Sequence, residues 1–158
     1  MLETGAILVP TRTIIGDILA NLAAVPDYAA SKLVALADTH ARAVALAVDR
    51  GVTIAMGTDI GLTGSDLPNS WGKNGAELAH LVTLGMTPLQ AVEAATATAP
   101  LTLGPQAPRS GRLGAGYDAD IITLDADPLA DITVLADPAH VTGVWTAGRQ
   151  VKGSPPPW

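Results

Sequence analysis

Two short apolar segments, 6–10 (Ala-Ile-Leu-Val-Pro) and 52–56 (Val-Thr-Ile-Ala-Met), stand on either side of one long helical pattern. No other feature limits the fold as tightly. A segment that is apolar at nearly every position suits a parallel strand covered on both faces, and parallel neighbours need a crossover connection long enough to hold a helix. The intervening pattern supplies it. From near Tyr28, the residues Leu33, Leu36, His40, Val44 and Ala47 recur at steps of three and four, placing them on one helical stripe, and Arg50-Gly51 gives a cation in the last turn followed by a stop. The reading is α/β. Between the first strand and the helix, residues 11–26 read as turn-rich, with a short helix over 18–23.

Past Gly57-Thr58-Asp59, a loop rich in Gly, Ser, Asp, Pro and Asn runs to Gly72. It is too long for a simple connector, which marks it as functional. A helix is expected from Gly75 to Leu84. A second opens at Thr87-Pro88-Leu89-Gln90, where Thr87 caps, Pro88 takes the tolerated first position and Gln90 completes a capping box, and it should end by Gly104-Pro105. From Arg109 the pattern turns to β: 121–124 is one strand, and 141–146 and 149–152 flank Ala147-Gly148 with the spacing of a two-residue hairpin turn. The expected organisation is an incomplete α/β body over 1–104, a small β unit over 105–153 and a tail over 154–158. The opening strand lies within a few residues of Met1, so the chain reads as one that begins inside a fold.

Composition narrows the chemistry. The 158 residues carry a net charge of −6, with no acidic or basic run, so no nucleic-acid surface is expected. Zero cysteines remove disulfides, thiolate zinc sites and cysteine nucleophiles together. With 3% aromatics and no Phe, the core must come from Ala, Val, Leu and Ile. Apolar runs fall well short of the roughly 20 residues of a membrane helix, so a soluble chain is expected; the location is taken as cytoplasmic, with any export signal belonging to the missing N-terminal portion.

Asp59 is the sharpest candidate. It follows the C-terminal end of an apolar strand, where parallel α/β folds assemble their active sites. A carboxylate there can bind a metal and take a proton from water; it can equally cap its own loop, and both readings stay open on spacing alone. His40 sits on the apolar helix stripe, where packing against a carbonyl is the ordinary role. Glu77 and His80 read as surface or boundary residues, and His140 as a turn residue; none forms an HxH or HExxH set. Trp71 and Asn74 close the long loop and could line a substrate pocket, with Lys73 between them, and Arg12 leaves the first strand where it could meet an anionic group. A Trp covering the rim and a solvated arginine are the plainer alternatives.

Several segments together resemble a family. Gly51-Val52-Thr53-Ile54-Ala55-Met56-Gly57-Thr58-Asp59 is similar to strand eight of the amidohydrolase superfamily, in its imidazolonepropionase and Xaa-Pro dipeptidase-like branch. The run from Glu77-Leu78 through Gly85-Met86-Thr87-Pro88-Leu89-Gln90-Ala91-Val92-Glu93-Ala94-Ala95-Thr96 resembles the helices after the barrel. Gly111-Arg112-Leu113-Gly114-Ala115-Gly116-Tyr117-Asp118-Ala119-Asp120-Ile121-Ile122-Thr123-Leu124 resembles the return to a β-sandwich, continued by Asp127-Pro128-Leu129-Ala130-Asp131-Ile132 and Val144-Trp145-Thr146-Ala147-Gly148-Arg149. The resemblance spans essentially the whole chain.

It implies the last strands and helices of a TIM-like (β/α)8 barrel, with 8–11 as strand seven, and C-terminal strands of a small β-sandwich. It further implies one or two divalent metals, usually zinc, and hydrolysis of the C–N bond of a small amide such as a dipeptide, N-acyl amino acid or cyclic amide. Asp59 would bind the metal and shuttle the proton. The family's strand-one HxH, strand-four lysine or glutamate, and strand-five and strand-six histidines have no counterpart here. Zinc takes about three protein ligands at a catalytic site, so the others are expected from an N-terminal barrel portion on a missing or partner chain, in an enzyme that is homo-oligomeric when assembled. The rival expectation is a non-catalytic interaction module or relic of such a barrel.

Overall fold

A computed structural model describes residues 1–24, 26–61, 63 and 70–153. Most of the long loop and the tail therefore lie outside the described residues. Among the described residues, four α-helices and three strands follow in chain order: α1 (Arg12–Ala20), α2 (Asp27–Asp49), α3 (Ala76–Thr83), α4 (Pro88–Ala95), β1 (Ile121–Leu124), β2 (Val141–Thr146) and β3 (Arg149–Lys152).

The two apolar segments run parallel, but in place of the two expected strands they share an isolated bridge between Leu8 and Ile54, because each has only part of its length paired. The Leu8 amide donates to the Thr53 carbonyl (2.9 Å) and the Ala55 amide to the Leu8 carbonyl (3.0 Å). Farther along, the Met56 amide donates to the Ala94 carbonyl at the end of α4 (2.9 Å). Ile54, Leu78, Leu81, Ala91, Ala94 and Ile132 form the buried cluster, with Leu8 and Met56 packed on it. Small alanines on α4 let it lie close to the strand, as a core with little aromatic volume requires.

Helix α1 corrects the expectation of a turn-rich stretch with a helix over 18–23. The chain turns at Thr11, whose φ of 50° is left-handed, and becomes helical at once. Thr11 makes no side-chain cap, so the start of α1 carries no local signal. The α2 stripe also shifts: Ala37 and Val44 are buried, whereas Leu36 is 60% exposed. Ala37 takes the contact position, and its carbonyl receives the Arg12 guanidinium (Nη1, 2.8 Å).

The capping box at Thr87 forms as expected, with Thr87 Oγ1 accepting from the Gln90 amide and Gln90 Oε1 from the Thr87 amide. Helix α4 ends earlier than the Gly104-Pro105 limit. Thr96 leaves helical geometry and bonds its hydroxyl back to the Val92 carbonyl (2.7 Å); tight 3-10 turns then cover Ala99–Gln106.

The C-terminal region is an antiparallel sheet in the order β1-β2-β3. Its tight turn has φ of 49° at Ala147 and 76° at Gly148, the twist that suits a two-residue hairpin. The strained Ala147 is held by its amide, which donates to Asp120 Oδ1 (2.7 Å). Between β1 and β2, a short 3-10 segment (Ile132–Ala136) packs on α3. The fit needs glycine at position 75, because a Cβ there would run into the Leu135 carbonyl.

Candidate functional site

The site is built where the two parallel segments end. Asp59 lies three residues past Met56, exposed, with a left-handed φ of 53°. A non-glycine residue in that region is uncommon and costs conformational energy, and Gly57 just before it allows close approach, since a Cβ at 57 would press on Val9 and touch Thr11 Cγ2 at 3.7 Å. The two strand exits therefore meet side by side.

Each exit is tied to the start of α3. On the Asp59 side, Asn74 Nδ2 donates to Thr58 Oγ1 (3.2 Å), which also receives the Ile60 amide (3.4 Å). On the other side, Glu77 takes three donors: the Arg12 amide on Oε1 (2.8 Å), and the Thr13 amide and hydroxyl on Oε2 (2.6 Å each). Glu77 is fully buried. Its carboxylate occupies the N-terminus of α1, where free amides and the helix dipole favour negative charge. The surface-or-boundary reading of Glu77 is thus corrected. The available signal was its position: Glu77 and Leu81 are four residues apart, on one face of α3.

The remaining candidates are dispersed. Arg12 spends its amide on Glu77 and one guanidinium nitrogen on Ala37, which makes it part of the turn's support. Asn74 supports the Asp59 loop through Thr58. Trp71 is 63% exposed. His40 donates from Nε2 to the Pro10 carbonyl (2.9 Å), as the packing reading expects, and its Nδ1 is buried without a partner. His80 sits half-buried over Gly16. Far from these, His140 Nδ1 pairs with Asp125 (2.7 Å); that hydrogen bond and the aspartate's charge raise the imidazole pKa above its ordinary value.

Among the described residues, no group of three or more His, Cys, Asp or Glu side chains is placed to hold a metal ion. Asp59 alone offers one donor where a catalytic zinc takes about three. These residues by themselves do not fit a metal centre. No helix among the described residues is long and apolar enough to cross a membrane.

Comparison with known proteins gives this geometry its context. The chain is 45% identical over 155 residues to the ochratoxinase of Aspergillus niger, a match that takes in 97% of this chain and 31% of that protein. The crystal structure of A. niger ochratoxinase superposes with a TM-score of 0.80 at 44% identity, over 98% of this chain and 34% of that one. A Xaa-Pro dipeptidase crystallised with methionine in its active site superposes with a TM-score of 0.80 at 27% identity, over 97% of this chain and 36% of the other. The chain thus spans about a third of the length of these relatives. Residues 1–151 match the amidohydrolase family, and the chain belongs to it.

Proposed function

We propose that this chain contributes the C-terminal third of an amidohydrolase that hydrolyses the C–N bond of a small amide. The observation that carries the reading is Asp59, exposed at the joined exits of two parallel segments, in a chain with 45% identity to an ochratoxinase. In this reading residues 1–104 are the last strands and helices of a TIM-like barrel and 105–153 belong to a β-sandwich. An N-terminal barrel portion supplies the rest, and the assembled enzyme is a homo-oligomer.

The step assigned to this chain belongs to the Asp59 carboxylate. As water attacks the amide carbonyl carbon, Asp59 takes its proton; as the C–N bond breaks, Asp59 passes that proton to the departing nitrogen. Water thereby gives its oxygen and one hydrogen to the new carboxyl group and its other hydrogen, by way of Asp59, to the amine. Asp59 is also the one donor this chain brings to a divalent cation, zinc in this reading, with the other donors on the N-terminal portion. Substrate contact falls to exposed Trp71 and to the guanidinium nitrogens of Arg12 that Ala37 does not take; Asn74 acts from behind, through Thr58.

The relatives suggest two probes, an ochratoxin and an Xaa-Pro dipeptide. In the assembled enzyme Asp59→Asn should lower kcat on the order of 10²- to 10⁴-fold, the usual contribution of a positioned proton carrier, with assembly unchanged by size-exclusion chromatography. Wild-type turnover in that variant would favour the interaction-module reading instead.

A further inference from the structure

We propose that Glu77 is a positioning residue for Asp59, an inference that rests on the proton-carrier reading above. The lead-in and first turn of α3 hold both strand exits at once. Asn74 bonds Thr58, the neighbour of Asp59, and three residues later Glu77 bonds Arg12 and Thr13 at the other exit. The two anchors are linked through the backbone, the Glu77 amide donating to the Asn74 carbonyl (3.2 Å).

The turn that Glu77 holds is fixed from further directions. His40 bonds the Pro10 carbonyl and the Arg12 side chain reaches Ala37, both on α2. Thr11, left-handed at φ 50°, is kept between these anchors, and a Cβ on Gly57 would run into Val9 and come within 3.7 Å of Thr11 Cγ2. Gly57 is two residues from Asp59. A carboxylate with three donors and complete burial is costly to disturb: removing the acceptor leaves those donors without a partner. Relaxation of the Pro10–Arg12 turn would then pass through Val9 and Thr11 to the adjoining Gly57 and the strained Asp59 backbone. The predicted consequence is a carboxylate displaced from its working position, with any change in substrate binding coming through Arg12 on the same turn.

The experiment compares three variants of the assembled enzyme on an ochratoxin and an Xaa-Pro dipeptide, well below their melting temperatures. Glu77→Gln keeps the size but turns an NH2 group toward the α1 amides. It should lower kcat by up to about 10²-fold, the scale of a 1 Å misplacement, a larger effect than any rise in KM through Arg12, which marks the loss as one of transition-state stabilisation. Thr13→Val removes only the hydroxyl donor, about one hydrogen bond, and should lower kcat about fivefold; it decides the matter if Glu77→Gln does not fold. A lowered melting temperature with unchanged kcat per folded site in the decisive variant would make Glu77 merely structural and overturn the proposal. Asp59→Asn separates the two readings: if it is inactive while Glu77→Gln is fully active, only the positioning fails, and if it turns over normally, both fail.

Discussion

The two β regions of this chain start from similar strand-like sequence and end differently. In the C-terminal region β1, β2 and β3 pair along their lengths, with register shifts only at Thr123/Leu124 and Val144/Trp145. In the N-terminal region the two parallel segments share an isolated bridge, Leu8 to Ile54. The contrast follows from where each finds its partners. A hairpin turn delivers β3 to β2 within two residues, so that ladder closes locally. A parallel pair must cross over a helix, and its apolar faces are satisfied by whatever covers them. Here α3 and α4 cover part of that surface, leaving Ile54 and Ala55 buried and Val9 exposed.

The junction between the regions offers the strongest way to break this comparison after the Asp59 and Glu77 variants. Gly75→Ala would drive a methyl group into the Leu135 carbonyl, prising the Ile132–Ala136 segment from α3. Overpacking of this kind costs about 1–3 kcal/mol, read as a lowered unfolding midpoint of the protein as purified. Hydrogen exchange should quicken in α3 and across 132–136 while the β2 and β3 amides stay protected. A uniform rise across the sheet would show the two regions to be one cooperative unit.

A smaller effect sharpens the contrast between local and distant capping. Thr87→Ala removes a cap built within four residues and should cost about 1 kcal/mol, measured by the shift in unfolding midpoint, without altering kcat. The smallest effect belongs to the β unit. The His140 pKa is raised in the folded state by Asp125, so the pair stabilises the fold below the ordinary histidine pKa of about 6.5, and this contribution disappears as pH rises through the higher folded value. Asp125→Asn should therefore lower the melting temperature in mild acid and leave it unchanged at alkaline pH. A pH-independent difference would assign the loss to packing.

Legibility of the fold followed the range of the interaction. Helix α2, the Thr87 box and the Ala147-Gly148 hairpin all rest on residues within a few positions of one another, and each was readable. Helix α1 was not, because its N-terminal acceptor comes from Glu77, 65 positions from Arg12. The His40 carbonyl contact was anticipated in kind, but its partner, Pro10, is 30 positions away. Leu36 fitted the apolar period yet faces outward: a period defines a stripe only to within its neighbouring positions, and the packed helix selected Ala37. Of the candidate residues, Asp59 was singled out by its place after an apolar segment, whereas the acceptor that holds the start of α1 was hidden in a glutamate that looked like an ordinary polar residue on a helix.

Sequence alone therefore determined the order of the longer elements other than α1, the caps and turns built from adjacent residues, the absence of cysteine chemistry and the likeness to amidohydrolases. These depend on short-range stereochemistry and on residue types, which the chain carries wherever it folds. Tertiary structure decided that Glu77 is buried, that Asn74 and Glu77 tie together two segment ends more than 40 residues apart, and that Asp59 stands exposed beside one of them. Burial of a carboxylate is tolerated only where converging donors replace its water, and those donors come from a distant part of the chain that only folding brings near.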